Sequence, residues 1–336
     1  MARIVLPIHR RFFFDSRCYQ RGIIQFPAGI QVHSTGANNP YLRRYVQPDD
    51  GILGDNVNHN SHNNPSGNVC ANAYIGKTAT GDIAIYQTLP WNMRCWLSGS
   101  GKNGNANNLG FVGFEICEDN LEDQAYFEKA VKGAAVHLTA YLCALFGFSP
   151  WDVVANYSTG TLYAVEDHAE LHRLGLASDH ADITKWLKHY GYTLADFRGW
   201  VGLCLIDNVV EAKYIDSEAV TMNYPTLRLY DTGPSVTLMQ ALLGEVGETV
   251  KASGEFDRTT ENTVKHFQHV NGLQVDGVCG PKTWEALNRQ TSHETESDNT
   301  GAETDTLETL LDRLGGYPAR DVFAAAIKKW GGNTVG

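Results

Sequence analysis

Apolar and polar positions along the chain fall into two regimes. Over residues 22 to about 216, short β-rich runs such as 23–32 and 81–89 are mixed with stretches of helical periodicity. The clearest helix is predicted over 120–146. Asn120 stands in its capping position, Glu122 and Asp123 lie in the first turn, and Phe127, Val131, Ala134, Leu138 and Leu142 form an apolar stripe. Such a stripe needs a sheet to pack on, so this regime predicts an α/β domain over residues 1–216, a mixed β-sheet flanked by helices. Residues 56–72, dense in Asn, His, Ser and Gly, and 98–108 (SGSGKNGNANN) lack the apolar content of a packed element. Both predict surface loops able to rim a cleft.

The second regime begins near Tyr224, with helical spacing at Val236, Met239, Leu242, Leu243 and Val246 and a further helix over 259–270. The turn NGLQVDGVCG precedes Pro281, suited to a helix start, and Thr283, Trp284 and Leu287 supply that helix's inner face. Residues 224–290 therefore predict a small all-α three-helix domain. The following stretch, 291–306, is rich in Ser, Thr, Asp and Glu, and Ala302 is its one apolar residue. It predicts an acidic flexible linker. Residues 307–336 regain helical periodicity and predict a short helical tail to which no role is assigned.

Composition narrows the function classes. A chain of 336 residues with 43% hydrophobic positions exceeds what one core usually organises. Its 27 basic against 38 acidic residues give a net charge of −11, which argues against nucleic acid as a partner. No span approaches the roughly 20 apolar residues of a membrane helix, so membrane insertion is not expected. The first residues hold only a short apolar run ahead of a basic pair, so no signal peptide is expected either. Seven scattered cysteines with no C-x-x-C predict reduced, mostly buried thiols rather than a disulfide framework or a cysteine zinc site. Oligomeric state is not encoded in any of these features.

The candidate chemistry lies in His33 of IQVHSTG, Glu115 of GFEICED, and the cluster DHAELHRLGLASDHAD from Asp167 to Asp182. Three His or carboxylate ligands with a fourth position open to water make a catalytic zinc site, which lowers the pKa of that water from ~15.7 to about 7. Spacing alone does not select the three. HAELH is not the H-E-x-x-H helix of metalloproteases, because Glu170 lies two residues after His168, about 200° around a helix and off the shared face of His168 and His172.

VHSTGANNP (32–40), DDGILG (49–54), YQTLPWNMRCW (86–96), FEICED (114–119) and the H-x-E-x-x-x-x-G-x-A-S-D-H-x-D run from His168 to Asp182 together resemble the prophage-type amidases of the amidase-2 class, relatives of the peptidoglycan recognition proteins. The resemblance implies a zinc-dependent N-acetylmuramoyl-L-alanine amidase. It implies zinc ligation by His33, His168 and Asp182, stabilisation of the tetrahedral intermediate by His180, and orientation or deprotonation of the attacking water by Glu115. If Phe114 packs inward on its strand, Glu115 projects to the other face. Two positions depart from the pattern: Asn72 and Leu97 stand where many relatives carry histidine. Asn72, Trp91, Trp96 and the loop histidines His59 and His62 are candidate substrate contacts, although an aromatic on a strand is as often core and a loop histidine is often simply solvated. Residues 224–289, through LRLYDTG, VTLMQALL, the run 263–268 and LQVDGVCGPKTWEAL, resemble the three-helix peptidoglycan-binding domain of wall hydrolases, with GEFDRTT (254–260) departing from the usual glycine-rich turn.

Peptidoglycan is thus the expected partner and Zn2+ the expected cofactor. Two alternatives stay open here: a recognition protein that binds without catalysis, and another wall hydrolase such as a zinc carboxypeptidase or a glycosidase, the last needing paired carboxylates across a sugar cleft. Lack of a secretion signal fits an endolysin held in the cytoplasm until lysis and then acting on the wall, and a host-encoded autolysin exported by another route stays open beside it.

Overall fold

The computed structural model describes residues 2–46, 51–56, 61–216 and 225–290. Its organising element is a mixed seven-stranded sheet built from β1 (Ala2–Arg10), β2 (Gly29–Ser34), β3 (Ala73–Lys77), β4 (Ile83–Gln87), β5 (Phe111–Ile116), β8 (Val165–Asp167) and β9 (Asn208–Asp216). Strand order is β8-β2-β5-β3-β4-β1-β9, and the remaining two strands, β6 (Val153–Tyr157) and β7 (Gly160–Tyr163), pair apart as a hairpin. All neighbours in the large sheet run parallel except β3 and β4. The run 23–32 overlaps β2 but starts before it and stops two residues short of its end, while 81–89 contains β4 and overshoots it at both ends. Residues 23–28 precede the strand, and Ile24 makes only an isolated bridge to Met93. Strand β1 is longer than the apolar run at the start of the chain suggested, because it lies between β4 and β9 and gains a ladder on both sides.

Helix α1 (Arg17–Arg21) follows β1, and α2 (Gln124–Phe127) continues through a π-helical stretch, Glu128–Ala135, into α3 (Val136–Phe146). The predicted stripe is the buried face: Phe127, Val131, Leu138 and Leu142 are fully inaccessible and pack with Ile30, Val32, Phe114 and Ile116 of the sheet. The cap is corrected. Asp123, not Asn120, accepts the N–H of Tyr126 at 2.9 Å. Asn120 is displaced because the Asp119 carboxylate holds a turn of its own, taking the N–H groups of Leu121 (2.9 Å) and Asp123 (3.1 Å). Helices α4 (His168–Arg173), α5 (Asp182–His189) and α6 (Leu194–Asp207) complete the α/β layer.

The three predicted C-terminal helices are α7 (Pro234–Glu245), α8 (Arg258–Val270) and α9 (Pro281–Gln290). Val236, Met239, Leu242, Val264, Phe267, Trp284 and Leu287 form their core. That core does not close on itself: Phe12, Tyr19, Leu89 and Met93 of the α/β layer belong to the same cluster, and both parts lie within one unit, Met1–Glu294. The expected linker 291–306 and tail 307–336 lie outside the described residues. All seven cysteines are free and buried. Among the described residues no helix is long and apolar enough to cross a membrane.

Candidate active site

Strand β2 presents Gln31 and His33 on one face, two residues apart as the pleat requires. In register beside His33 lies Glu115 of β5, and beside Glu115 lies Tyr74 of β3. Phe114 packs in the opposite core, so Glu115 does project to the other face of the sheet. Strand β8, on the other side of β2, ends at Asp167, whose side chain accepts the Glu170 N–H at 2.8 Å and a hydrogen bond from the Thr184 hydroxyl. One carboxylate thereby caps α4 and tethers α5, which sets His168 at the first position of α4 and Asp182 at the first of α5.

These three placements bring the ligand atoms of His33, His168 and Asp182 to within 4.8 Å of one another. Asp182 Oδ2 lies 2.7 Å from His33 Nδ1 and 2.8 Å from His168 Nδ1, and the two imidazole nitrogens are 3.2 Å apart. A tetrahedral shell with bonds of ~2.0 Å has edges of about 3.3 Å, which the 3.2 Å nitrogen–nitrogen edge matches, while the two edges to Asp182 are shorter, at 2.7 and 2.8 Å. Two facing nitrogens beside a carboxylate are the donor set of a cation site. His33 Nε2 is 3.0 Å from Gln31 Oε1, so that nitrogen carries the proton and Nδ1 keeps its lone pair. Burial lowers the His33 pKa, against the raising effect of Asp182, and so favours the neutral, ligating imidazole. For Asp182, burial is outweighed by hydrogen bonds and charge from His168 and His33, which hold its carboxyl well below the usual range. Its backbone adopts φ 36°, a left-handed conformation that costs a non-glycine residue and persists where the surroundings over-determine it.

Around this triangle stand Glu115, His180 and Ser178. Glu115 is buried, and among the described residues its Oε2 has no hydrogen-bond partner. Burial, then the charges of Asp182 and Glu118, push its pKa well up. His180 is exposed at the mouth, its ring 4.8 Å from that of His168 in an edge arrangement. Ser178 links the two: its Oγ is 3.3 Å from His168 Nε2 and 3.2 Å from His180 Nδ1. The sequence had not singled out Gln31 or Ser178. Each lies two residues before a histidine already under suspicion, and on β2 the period of the strand was the available signal.

The remaining candidates scatter. His172 turns away, its Nδ1 3.2 Å from the Ala177 carbonyl, while Glu170 pairs with Arg173, which disposes of the metalloprotease helix. Asn72 is corrected to a structural role: fully buried, its amide donates to the Pro90 and Met93 carbonyls at 2.9 Å and accepts the Gly113 N–H at 3.0 Å. Trp91 is likewise interior, donating to the Tyr214 hydroxyl at 2.8 Å, and does not line a groove. Trp96 is half-buried and lines a cavity. His62 contacts the Tyr74 hydroxyl, and burial, then Arg44, takes its pKa down to about 4. His59 lies outside the described residues. Loop 98–108 is not wholly superficial, since Ser98, Ala106 and Asn107 are buried, with Asn107 accepting the Leu97 N–H at 2.9 Å.

Family comparison identifies residues 25–184 as an N-acetylmuramoyl-L-alanine amidase domain and residues 232–287 as a peptidoglycan binding domain. A search of curated proteins gave no match. Among solved structures, the hydrolase AmiA of Staphylococcus aureus, crystallised with its ligand, is 18% identical over 61% of this chain and 85% of its own, with a TM-score of 0.43. A mutant endolysin from Bacillus subtilis is 22% identical over 59% of this chain and 99% of its own, with a TM-score of 0.39. A peptidoglycan-binding protein from Clostridioides difficile is 35% identical over 20% of this chain and 44% of its own, with a TM-score of 0.20. The two family matches make residues 25–184 an N-acetylmuramoyl-L-alanine amidase domain and residues 232–287 a peptidoglycan-binding domain, the makeup of a cell-wall hydrolase.

Proposed function

We propose that the chain hydrolyses the amide between the lactyl carbonyl of N-acetylmuramic acid and L-alanine with a zinc ion held by His33, His168 and Asp182. The convergence of those three ligand atoms, from segments far apart in sequence, carries this reading. Zinc, when bound, supplies a Lewis acid for the carbonyl and for water. The protein's own groups do the rest. Gln31 and Ser178 fix the imidazole orientations, and Glu115, with an unpaired buried oxygen beside His33, orients the attacking water and takes its proton. His180, exposed at the mouth and steadied by Ser178, donates a hydrogen bond to the oxyanion. The C-terminal helices would hold the enzyme on the wall it cuts.

Purified protein should carry about one zinc equivalent, and a chelator should abolish activity. Digestion of sacculi should expose new alanine α-amino groups while glycan chains stay long. New reducing ends would indicate a glycosidase, released D-alanine a carboxypeptidase, and neither product a binding-only protein. Full zinc occupancy in Asp182→Ala would remove Asp182 from the ligand set.

A further inference from the structure

A cavity of about 310 Å³ opens between α1, the segment around Asn68 and the strip that carries Arg94 and Trp96. Three guanidinium groups line it: Arg17 and Arg21, four residues apart on one face of α1, and Arg94. Among the described residues none of the three forms an ion pair, in a chain whose net charge is −11. Arg17 Nη1 donates to Asn68 Oδ1 at 2.9 Å and Arg94 Nη1 to Asn108 Oδ1 at 2.7 Å, so neutral amides steady two of the three without neutralising them. The Arg94 guanidinium also lies over the Trp96 ring, 5.7 Å from its centroid, leaving an aromatic surface beside the cations.

We propose that this cavity binds an anion, a carboxylate or a phosphate, carried on the wall polymer. Three uncompensated cations gathered on a concavity repel one another, and an anion with paired oxygens relieves that repulsion while using the fork geometry of arginine. The volume is at the low end of ligand pockets, which run from roughly 300 to 1,000 Å³, so it suits one charged residue or one phosphate ester rather than a long segment. Position ties the cavity to the active site. Trp96 pairs with Cys70 through both backbone hydrogen bonds, at 2.8 and 3.1 Å, and the Ser98 carbonyl takes the Ser178 N–H at 2.9 Å. Two residues of extended chain, about 7 Å, thus separate the cavity wall from the anchor of Ser178, which touches His168. A wall peptide lying along this strip would bring its free carboxylates over the arginines.

The peptide source rests on the amidase reading, so the test measures binding without turnover. The intact protein would be titrated calorimetrically with the stem tripeptide L-alanyl-γ-D-glutamyl-L-lysine, with the same peptide bearing amidated carboxylates, and with glycerol phosphate. The titrations would be repeated with Arg17→Gln/Arg21→Gln, both on an exposed helix face, and separately with Arg94→Gln. Expected is saturable binding of the acid peptide, weakened tenfold or more by amidation and by either arginine change, with zinc content untouched. Binding of glycerol phosphate alone, with the same arginine dependence, would support the pocket and name a phosphate polymer as its source. Failure of both anions to bind, or binding indifferent to the arginines, would overturn the proposal. Neither outcome depends on whether sacculi are hydrolysed, so an inactive protein that still binds would leave the pocket standing and the amidase reading broken.

Discussion

Gln31 is inaccessible to solvent, and its oxygen accepts from His33 Nε2 while its amide is held by Asn107 Oδ1 and the Phe111 carbonyl, each at 3.3 Å. A ligand oriented in this way loses metal affinity when its partner goes, typically 10- to 100-fold. Gln31→Leu should therefore bind zinc about that much more weakly in competition with a chelator, whereas Gln31→Glu, which keeps an acceptor oxygen, should recover most of the loss. Equal affinity in wild type and Gln31→Leu would reduce Gln31 to packing. Glu115 supports the complementary expectation, because the role proposed for it concerns the proton and not the metal. Glu115→Gln should retain zinc while turnover falls by roughly 10²–10⁴. A variant near the wild-type rate would make Glu115 a structural residue.

Among the elements, the long helix shows where local physics decides and where it does not. Asp123 caps α2 and also meets Lys77 of β3 at 3.1 Å. Replacing it with alanine should cost about 1 kcal/mol, seen as a drop of a few degrees in melting temperature, while Asn120→Ala should cost almost nothing. Equal losses in the two variants would restore Asn120 as the cap. The stripe from Phe127 to Leu142 was legible because period 3.6 is written directly into the sequence. The start of the helix was not, since two acidic or amide residues competed for it and Asp119 settled the contest through a turn no periodicity reports. The same division runs through the site. His33, Glu115, His168, His180 and Asp182 could be picked out by residue type and motif, whereas Asn72 and Trp91 looked like groove residues because nothing in the sequence shows that three backbone groups satisfy the one and a tyrosine hydroxyl the other.

At the scale of the whole molecule, the sequence divides the chain near residue 224, yet the hydrophobic core crosses that division. Tyr19 and Met93 share a cluster with Leu242 and Trp284, and Asn92 donates to the Ala241 carbonyl at 3.2 Å. Glu245, the last residue of α7, accepts the Trp91 N–H at 2.9 Å and faces Arg10 of β1, Tyr141 of α3 and Tyr214 of β9. Burial pushes its pKa up to about 7, the Trp91 hydrogen bond and the Arg10 charge opposing the rise. A carboxyl whose pKa is raised in the packed state favours packing when protonated. Its contribution is complete below the ordinary value of 4.5, declines as pH climbs towards about 7, and stays lost above that. The melting temperature of the intact protein should therefore fall between pH 5 and pH 8 more steeply for wild type than for Glu245→Gln, which keeps an acceptor for Trp91 but cannot ionise. The difference between the two curves isolates Glu245 from every other titrating group. Limited proteolysis should agree, with the C-terminal helices released faster at pH 8 than at pH 5 in wild type and at nearly one rate in the variant. Parallel melting curves would show that Glu245 reaches enough water to stay charged in the packed state, and that the contact between the two halves is insensitive to pH.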